Sequence, residues 1–333
     1  MGFVKKEEVL AYVGGKALIF GATSSGKSTA AGTFPNINLV DSEDGNTYYL
    51  ESNPNILGIM RTTSASEVQD TLDELNDEEA LKDFDTIVID SGTKLYENMQ
   101  TAAFEVVEKR MRKQLRKGKD VDIEDAGLSV RDWGHIKRWN QALKTAYIIF
   151  SSQGKWVVEV AHQKDVFRDP TDDEKKKGID RVKIGEAPDL AKKAEYDFDI
   201  VMQMFTKEDK DGNVTYFGKI YKDRTGVTKK GEIIENPSFE IWRAKWESTK
   251  KFGIKNGVDL SVGVNKDKES MEAEDEKAEE ISNNIKALLK NSSEENQKKI
   301  GKKIRDLEIN IKDLINNDIE KLTEVLEFAT MLK

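Results

Sequence analysis

The stretch "GATSSGKST" at residues 21–29 restricts the fold of this chain more than any other part of the sequence. It has the spacing glycine, four residues, glycine, lysine, serine, and it follows the apolar run "KALIF". This spacing is typical of a phosphate-binding loop between a buried strand and a helix, because its glycines let several backbone N–H groups converge on one phosphate. The predicted nucleotide-binding residues are Gly21, Ala22, Thr23, Ser24, Ser25, Gly26, Lys27, Ser28 and Thr29.

Two side chains of the loop and one distant carboxylate predict the cofactors ATP and Mg²⁺. Lys27 is expected to reach the β- and γ-phosphates, and the Ser28 hydroxyl to bind the metal ion. Asp90 ends the apolar run "FDTIVID", so it should emerge at the edge of the sheet where the phosphate loop lies. We expect Asp90 to hold Mg²⁺ partly through water.

The rest of the N-terminal two thirds predicts an α/β fold with a mostly parallel central sheet flanked by helices. Apolar runs that resemble strands alternate with helical patterns such as "SASEVQDTLDEL", and this alternation is typical of parallel sheets. The last two runs are expected to form a hairpin around "TKEDKDGN". The predicted strands are "KALIF", "NINLVD", "FDTIVID", "KWVVEVA", "YDFDIVMQM" and "VTYFGKIY".

The composition changes towards the C-terminus and predicts a second, smaller unit. We predict an ATPase core at residues 1–247, a charged linker at 248–277 and a small helical module at 278–333. The charged stretch "NKDKESMEAEDEKAEE" is typical of a solvated linker or the exposed start of a helix. The pattern after it places apolar residues at helical spacing.

Composition and charge exclude several classes of protein. The chain has 333 residues and no cysteine, which excludes disulfides and thiolate metal sites. It has only two histidines, so we do not predict a histidine-rich metal site. A net charge of −9 excludes a wholly basic DNA-coating surface but not a local basic groove. No apolar run is long enough to span a membrane, and we expect a cytoplasmic protein.

A base for ATP hydrolysis is predicted near the end of the second strand. Many ATPases with a phosphate loop of this kind place a glutamate directly after the metal-site aspartate, but here Ser91 follows Asp90. Glu43, in "LVDSEDG", could instead orient the attacking water, and Asp41 could serve in its place.

Residues 10–242 resemble the RecA-type recombinase core. The resemblance rests on "GATSSGKS", "LVDSE", "TIVIDS" and "VVEVAHQ". It implies that Gln163, with His162 beside it, senses the γ-phosphate and relays its state to a following DNA-binding loop. In "IYKDRTG", it implies that Lys222 and Arg224 reach the nucleotide of a neighbouring subunit as an arginine finger.

The order of all these motifs is similar to that of phage-encoded, RecA-like ATP-binding recombination proteins of the AAA-type P-loop class. Such proteins promote single-strand annealing or strand exchange. The resemblance implies a DNA-dependent ATPase that assembles on single-stranded DNA as a homo-oligomeric ring or filament in the host cytoplasm. The C-terminal helices lie outside the pattern of the family, and we expect them to dock a partner such as a single-strand-binding protein.

Two basic clusters are the candidate DNA contacts. Residues 108–120 form the stronger cluster, and residues 175–183 lie in the expected DNA loop. Trp133 and Trp139 are expected either to stack on bases or to pack in the core. The candidate phosphate contacts are Arg110, Arg112, Lys113, Arg116, Lys117, Lys119, Lys175, Lys176, Lys177, Arg181 and Lys183.

Other functions use the same nucleotide site. A helicase-like translocase would need a ring and unwinding activity, and a nucleotide-gated loader or regulator of phage replication would use ATP to change shape. A small-molecule kinase would need an arginine-rich lid, for which the sequence offers no candidate.

Overall fold

The computed structural model describes residues 13–118, 127–250, 260–310 and 319–332, with side chains described from residue 276 onward in the third range. The chain divides into two compact units, Met1–Val258 and Asp259–Lys333. The boundary lies within the range predicted as a linker. The charged part of that range is helical from Leu260 onward, which is the second of the two alternatives that the sequence left open.

The first unit is built on a nine-stranded sheet. Its strand order is β3-β2-β4-β5-β1-β7-β8-β9, with β6 paired to β5. The strands from β3 to β7 in this order are parallel, whereas β8 and β9 continue the sheet in antiparallel pairing. The strands are β1 (Gly15–Gly21), β2 (Ile37–Asp41), β3 (Ile56–Arg61), β4 (Thr86–Asp90), β5 (Trp156–Arg168), β6 (Val182–Pro188), β7 (Ile200–Glu208), β8 (Val214–Asp223) and β9 (Ile233–Glu235).

Helices connect the strands of the first unit and cover both faces of its sheet. They are α1 (Lys27–Ala31), α2 (Thr47–Leu50), α3 (Ala65–Leu75), α4 (Gly92–Leu115), α5 (Val130–Ser152), α6 (Asp172–Lys176) and α7 (Glu240–Lys250). The α/β fold class predicted from the sequence is confirmed, and so is each of the six predicted strands.

The central strands are apolar on both faces because both faces are covered. Leu18 and Phe20 of β1 pack in one core cluster with residues of α3, α4 and α5. Ala17 and Ile19 point to the other face and pack in a second cluster with residues of α1 and α7. This burial on two sides is why these strands have continuous apolar runs instead of an alternating pattern.

Strand β5 extends beyond the core. Its first six residues, Trp156–Ala161, are buried, and the strand then continues to Arg168 with mostly exposed or half-buried side chains. This outer part pairs antiparallel with β6, and α6 lies between the two strands. We call residues 164–188 the arm. The sequence predicted only a loop in this interval.

The second unit contains three described helices, α8 (Leu260–Asn291), α9 (Glu294–Asp306) and α10 (Ile319–Met331). Ile285, Ile300 and Leu322, one from each helix, are fully buried together in its core. This helical C-terminal region agrees with the sequence prediction. None of the helices in the described ranges is long and apolar enough to cross a membrane.

Candidate functional site

The loop between β1 and α1 has the backbone geometry of a phosphate-binding loop. Gly26 caps the helix in the left-handed region, at φ 85°, and Ser24 has φ 59°. Lys27, the first residue of α1, donates from Nζ to the carbonyl oxygen of Ala22 at 2.7 Å. The lysine therefore folds back over the loop at the place where it would meet a phosphate.

A buried hydroxyl inside the loop fits an anionic ligand. The Ser25 side chain is buried, and its Oγ has no hydrogen-bond partner among the residues that the structure describes. A buried polar atom without a partner is costly in a finished core. Together with the N-terminus of α1, this hydroxyl supports phosphate binding at the loop.

Ser28 and Asp90 lie next to each other, as the sequence predicted for the two metal-site residues. The Ser28 hydroxyl and the Asn46 amide both donate to the Asp90 carboxylate, the latter at 3.3 Å. Burial raises the pKa of Asp90, and these two hydrogen bonds partly offset that rise. A hydroxyl and a carboxylate beside a phosphate loop suit Mg²⁺, which prefers a few oxygen ligands plus water and phosphate.

Two carboxylates lie close enough to Lys27 to affect its pKa. Burial lowers the pKa of Lys27, whereas the negative charges of Asp90 and Glu43 act in the opposite direction. Within the described residues, no group of three or more His, Cys, Asp or Glu side chains could hold a metal ion. A divalent cation at Ser28 and Asp90 would therefore depend on nucleotide oxygens and water.

Asp41 and Glu43, the two candidate bases for hydrolysis, have different surroundings in the structure. Asp41 is buried, and its carboxylate accepts from the backbone N–H groups of Glu43, Gly45 and Asn46 at 3.1–3.3 Å. Its acceptor capacity is used to hold the loop that follows β2. The carboxylate of Glu43 is only partly exposed and reaches across to two neighbouring strand ends.

Glu43 contacts Ser91 and His162 through a single oxygen. Its Oε1 accepts a short hydrogen bond from the Ser91 hydroxyl and lies 2.7 Å from His162 Nε2. Gln163, the predicted γ-phosphate sensor, turns away from Glu43. Its Oε1 accepts from Gln203 Nε2 on β7 at 3.2 Å, and the Tyr221 hydroxyl donates to Gln203 Oε1 at 3.0 Å.

Lys222 and Arg224 lie at the opposite edge of the sheet from the phosphate loop. Asp223 pairs with Ile200, which pairs with Ala17 near the start of β1, whereas the loop begins at Gly21. At about 3.3 Å per residue this separates the two sites by roughly 13 Å along the strand.

Both basic side chains are held at that edge. Arg224 Nη1 lies 3.5 Å from Asp199 Oδ1, and Lys222 Nζ donates to two backbone carbonyls at 3.0 and 3.1 Å. Burial, followed by the charge of Arg224, lowers the pKa of Lys222. An arginine-finger role for either residue would have to be exerted on another subunit.

The first basic cluster lies at the end of α4 and divides into paired and unpaired residues. Arg110 pairs with Asp132 of α5 at 2.7 Å, and Arg112 pairs with Glu108 at 3.3 Å. Lys113, Arg116 and Lys117 are exposed and make no ion pair with any described residue. Lys119 lies outside the described residues.

Trp133 and Trp139 both lie on α5, near the first basic cluster. Their exposed fractions are 45% and 38%. Neither is a core side chain, so the core alternative for these tryptophans is wrong.

The second basic cluster lies in the arm, where acidic residues balance it. Arg168 forms a two-pronged pair with Glu174 at 2.8 Å, and Lys183 contacts Asp165 and Glu186, each at 2.8 Å. Lys176 lies 3.6 Å from Asp173, whereas Lys175, Lys177 and Arg181 are exposed. The arm contains equal numbers of acidic and basic residues, so it is not a strongly basic surface.

Comparison with known families agrees with this geometry. Residues 14–232, which run from the residue before β1 to the residue before β9, match the family described as AAA domain. The chain belongs to the AAA domain family. The match covers the phosphate loop, Asp90, Glu43 and Arg224, so this AAA domain contains every part of the candidate site.

Among solved structures, the AAA domain is similar to the flagellar accessory protein FlaH from Methanocaldococcus jannaschii. The two share 12% sequence identity over 68% of this chain and 85% of FlaH, with a TM-score of 0.31. No curated protein matches the chain.

Sequence reasoning missed several residues that surround the site. Ser91 and Asn46 contact the two acidic residues, and the ring of Tyr216 on β8 lies against Gly26, where an added Cβ would stand 2.7 Å from its Cδ1. Residues at the ends of parallel strands converge at one edge, which could have indicated Ser91. Tyr216 lies in an antiparallel strand, so this rule about parallel strand ends could not have indicated it.

Proposed function

We propose that this AAA domain hydrolyses ATP on single-stranded DNA, as part of a homo-oligomeric ring or filament that promotes annealing or strand exchange. The observation that carries the proposal is the placement of Glu43 beside the phosphate loop, with its charge acting on both Lys27 and Asp90. That arrangement gives a P-loop a base for in-line attack by water.

Each residue of the site has a role in this proposal. Backbone N–H groups of the loop and Lys27 bind the triphosphate, and Ser28 and Asp90 hold Mg²⁺, which neutralises phosphate charge. Glu43 accepts the proton of the attacking water. Gln163 lies where β5 leaves the core, and we keep it as a sensor that acts through Gln203 on β7.

The opposite positions of Lys27 and Arg224 support assembly. In a head-to-tail oligomer, the edge that carries Lys222 and Arg224 faces the phosphate loop of the next subunit. Arg224 then stabilises the charge that develops on the nucleotide, an effect worth 10³–10⁵ in rate in other enzymes of this mechanism. An isolated subunit is expected to hydrolyse ATP slowly.

The two basic clusters differ in how many of their side chains are available to contact the phosphates of single-stranded DNA. Lys113, Arg116 and Lys117 are exposed and form no ion pair within the described part of the chain, and exposed tryptophans lie on the neighbouring helix. This combination suits a backbone of phosphates with unstacked bases. Arm residues such as Lys176 and Lys183 are engaged with carboxylates. We therefore assign the larger share of DNA binding to the end of α4.

The test is the rate of ATP hydrolysis with and without saturating single-stranded DNA. We expect DNA to stimulate the wild-type chain and expect Glu43→Gln and Arg224→Ala to remove the stimulated rate. A wild-type rate that does not change with DNA would contradict the proposal. Strand-displacement activity would instead favour a translocase, and nucleotide-dependent partner binding through the C-terminal helices would favour a loader.

A further inference from the structure

The two oxygens of the Glu43 carboxylate have different surroundings. Oε1 accepts from the Ser91 hydroxyl and lies 2.7 Å from His162 Nε2. Oε2 makes no hydrogen bond to any residue in the described part of the chain. One oxygen is therefore held by two donors, and the other remains available as an acceptor.

The Ser91 hydroxyl is oriented to donate. Its Oγ caps α4 by accepting the backbone N–H of Lys94 at 3.4 Å, which leaves its own proton for Glu43. The backbone of Ser91 is fixed as well, because its N–H donates to Ser42 Oγ and its carbonyl accepts from the same hydroxyl, both at 2.8 Å. Ser91 and Ser42 are both buried, so water does not compete for these bonds.

The position of His162 is fixed by its own backbone. Its N–H donates to Thr93 Oγ1 at 2.9 Å, and its carbonyl accepts from the N–H of Asp189 at 2.8 Å. Thr93 in turn donates to the carbonyl of Asp189 at 2.9 Å. His162 is thus attached to the start of α4 and to the residue that follows the arm.

We propose that Ser91 and His162 are positioning residues that hold Oε1 of Glu43, so that Oε2 faces the attacking water. The inference deepens the proposed function and rests on it. Gln163, which the sequence predicted as the γ-phosphate sensor, contacts Gln203 and makes no described hydrogen bond to Glu43. For His162 to donate to a carboxylate, its Nε2 must carry the proton, which is met by the Nε2–H tautomer.

The first test is a substitution series at His162 in the full-length chain. We expect His162→Ala to lower kcat by about tenfold to hundredfold, because a misplaced base loses much of its contribution. The affinity for a fluorescent ATP analogue should stay within about twofold of the wild-type value, because the His162 side chain contacts Glu43 and the substitution leaves its backbone pairing with Gly21 in place. His162→Gln retains an N–H donor and should recover part of kcat.

The matched control is His135→Gln, because His135 is the other histidine of the chain and lies on α5. It should leave kcat and nucleotide affinity unchanged. A decrease in kcat for His135→Gln equal to that of His162→Ala would overturn the assignment, since it would show that losing any histidine has the same effect.

A double-mutant cycle separates a positioning role from a general loss of stability. If His162 acts through Glu43, the variant Glu43→Gln with His162→Ala should be no slower than Glu43→Gln alone. Additive losses would overturn the inference. A wild-type chain that does not hydrolyse ATP would overturn the proposed function itself, whereas a hydrolysing wild type with an unchanged kcat in His162→Ala would overturn only the positioning role.

Discussion

Asp41 and Asp90 are register partners on adjacent parallel strands, yet their carboxylates serve different purposes. Asp41 accepts three backbone N–H groups and fixes the loop that follows β2. Asp90 accepts from the side chains of Ser28 and Asn46 and faces the phosphate loop. Of the two, only Asp90 is placed to meet a ligand, and Glu43 contacts Ser91, the residue that follows Asp90.

This difference predicts that a change of Asp41 lowers the stability of the protein, whereas a change of Glu43 lowers kcat. Asp41→Ala leaves buried N–H groups without an acceptor and should lower the free energy of unfolding by about 1–3 kcal/mol. Glu43→Gln should leave stability nearly unchanged while reducing kcat about 100-fold or more. Urea denaturation and steady-state hydrolysis measure the two effects, and Glu51→Gln, an exposed position near the end of α2, is the control. Full hydrolysis by Glu43→Gln would contradict its assignment.

Gly26→Ala should prevent nucleotide binding. Its φ of 85° is unfavourable for alanine, and the new Cβ would stand 2.7 Å from Tyr216 Cδ1. Gly178→Ala is a matched control, because Gly178 has φ 75° but, its chain neighbours aside, no atom of the described residues lies within 4 Å of the added carbon. Both changes cost about 1–2 kcal/mol of backbone strain, but only Gly26→Ala should abolish binding of a fluorescent nucleotide. Binding of the nucleotide by Gly26→Ala as tightly as by Gly178→Ala would contradict this prediction.

Mixing two inactive variants should restore activity if Arg224 acts between subunits. A chain with Arg224→Ala retains its phosphate loop, and a chain with Lys27→Ala retains its arginine. In a mixed oligomer, some sites combine an intact loop with an intact Arg224 from the neighbour. We expect the mixture to hydrolyse ATP faster than either variant alone at the same total concentration. No recovery at any ratio would argue for a role within one chain.

The contact between Asp132 and Arg110 predicts a pH-dependent stability. The Ser129 hydroxyl and the Arg110 guanidinium lower the pKa of Asp132 to about 2. Because an aspartate in an unfolded chain titrates near 3.9, the ionised group favours the folded state above about pH 4. This contribution is lost as the pH falls through about 2.

The difference in urea midpoint between wild type and Asp132→Asn should therefore be largest near pH 7 and should narrow below about pH 4. Asp172→Asn, at an exposed position on α6 without an ion pair among the described residues, is the control and should give little difference at any pH. A difference between wild type and Asp132→Asn that stays constant down to pH 2 would contradict the assignment.

The paired and unpaired basic residues should affect DNA binding differently. Replacing Arg116 and Lys117 by alanine should weaken binding to single-stranded DNA and reduce the slope of log K against log salt by about 1.4, since each phosphate contact contributes about 0.7. Replacing Lys176 and Lys183, which already contact carboxylates, should change the slope less. Fluorescence anisotropy with a labelled oligonucleotide at several salt concentrations measures both. A larger effect of the arm pair would reverse our assignment.

The central strands and the phosphate loop could be predicted because local signals determine them. β1 and β4 are short apolar runs, and the loop residues have fixed spacing. Strand β3 could not be predicted, because its residues alternate between half-buried and exposed at the edge of the sheet. The arm was missed because its strand pairing depends on residues far apart in the sequence, such as Lys164 and Ala187.

The same limit explains why His162 was not predicted as a partner of Glu43. Adjacent residues of a strand point to opposite faces, so a shift of one position decides which side chain meets Glu43. The sequence placed a polar pair at the end of β5 but contained nothing that fixed the face. Ser91, the second partner of Glu43, was not predicted either, because the motif at the end of β4 pointed only to its neighbour Asp90.

Strand β5 has one further consequence. Its thirteen residues run without a break from Trp156 in the core to Arg168 in the arm, and His162 lies where the buried part ends. Because the strand is continuous from the core to the outer hairpin, we expect a displacement of that hairpin, such as contact with a ligand would cause, to move the backbone of His162 and with it the imidazole beside Glu43.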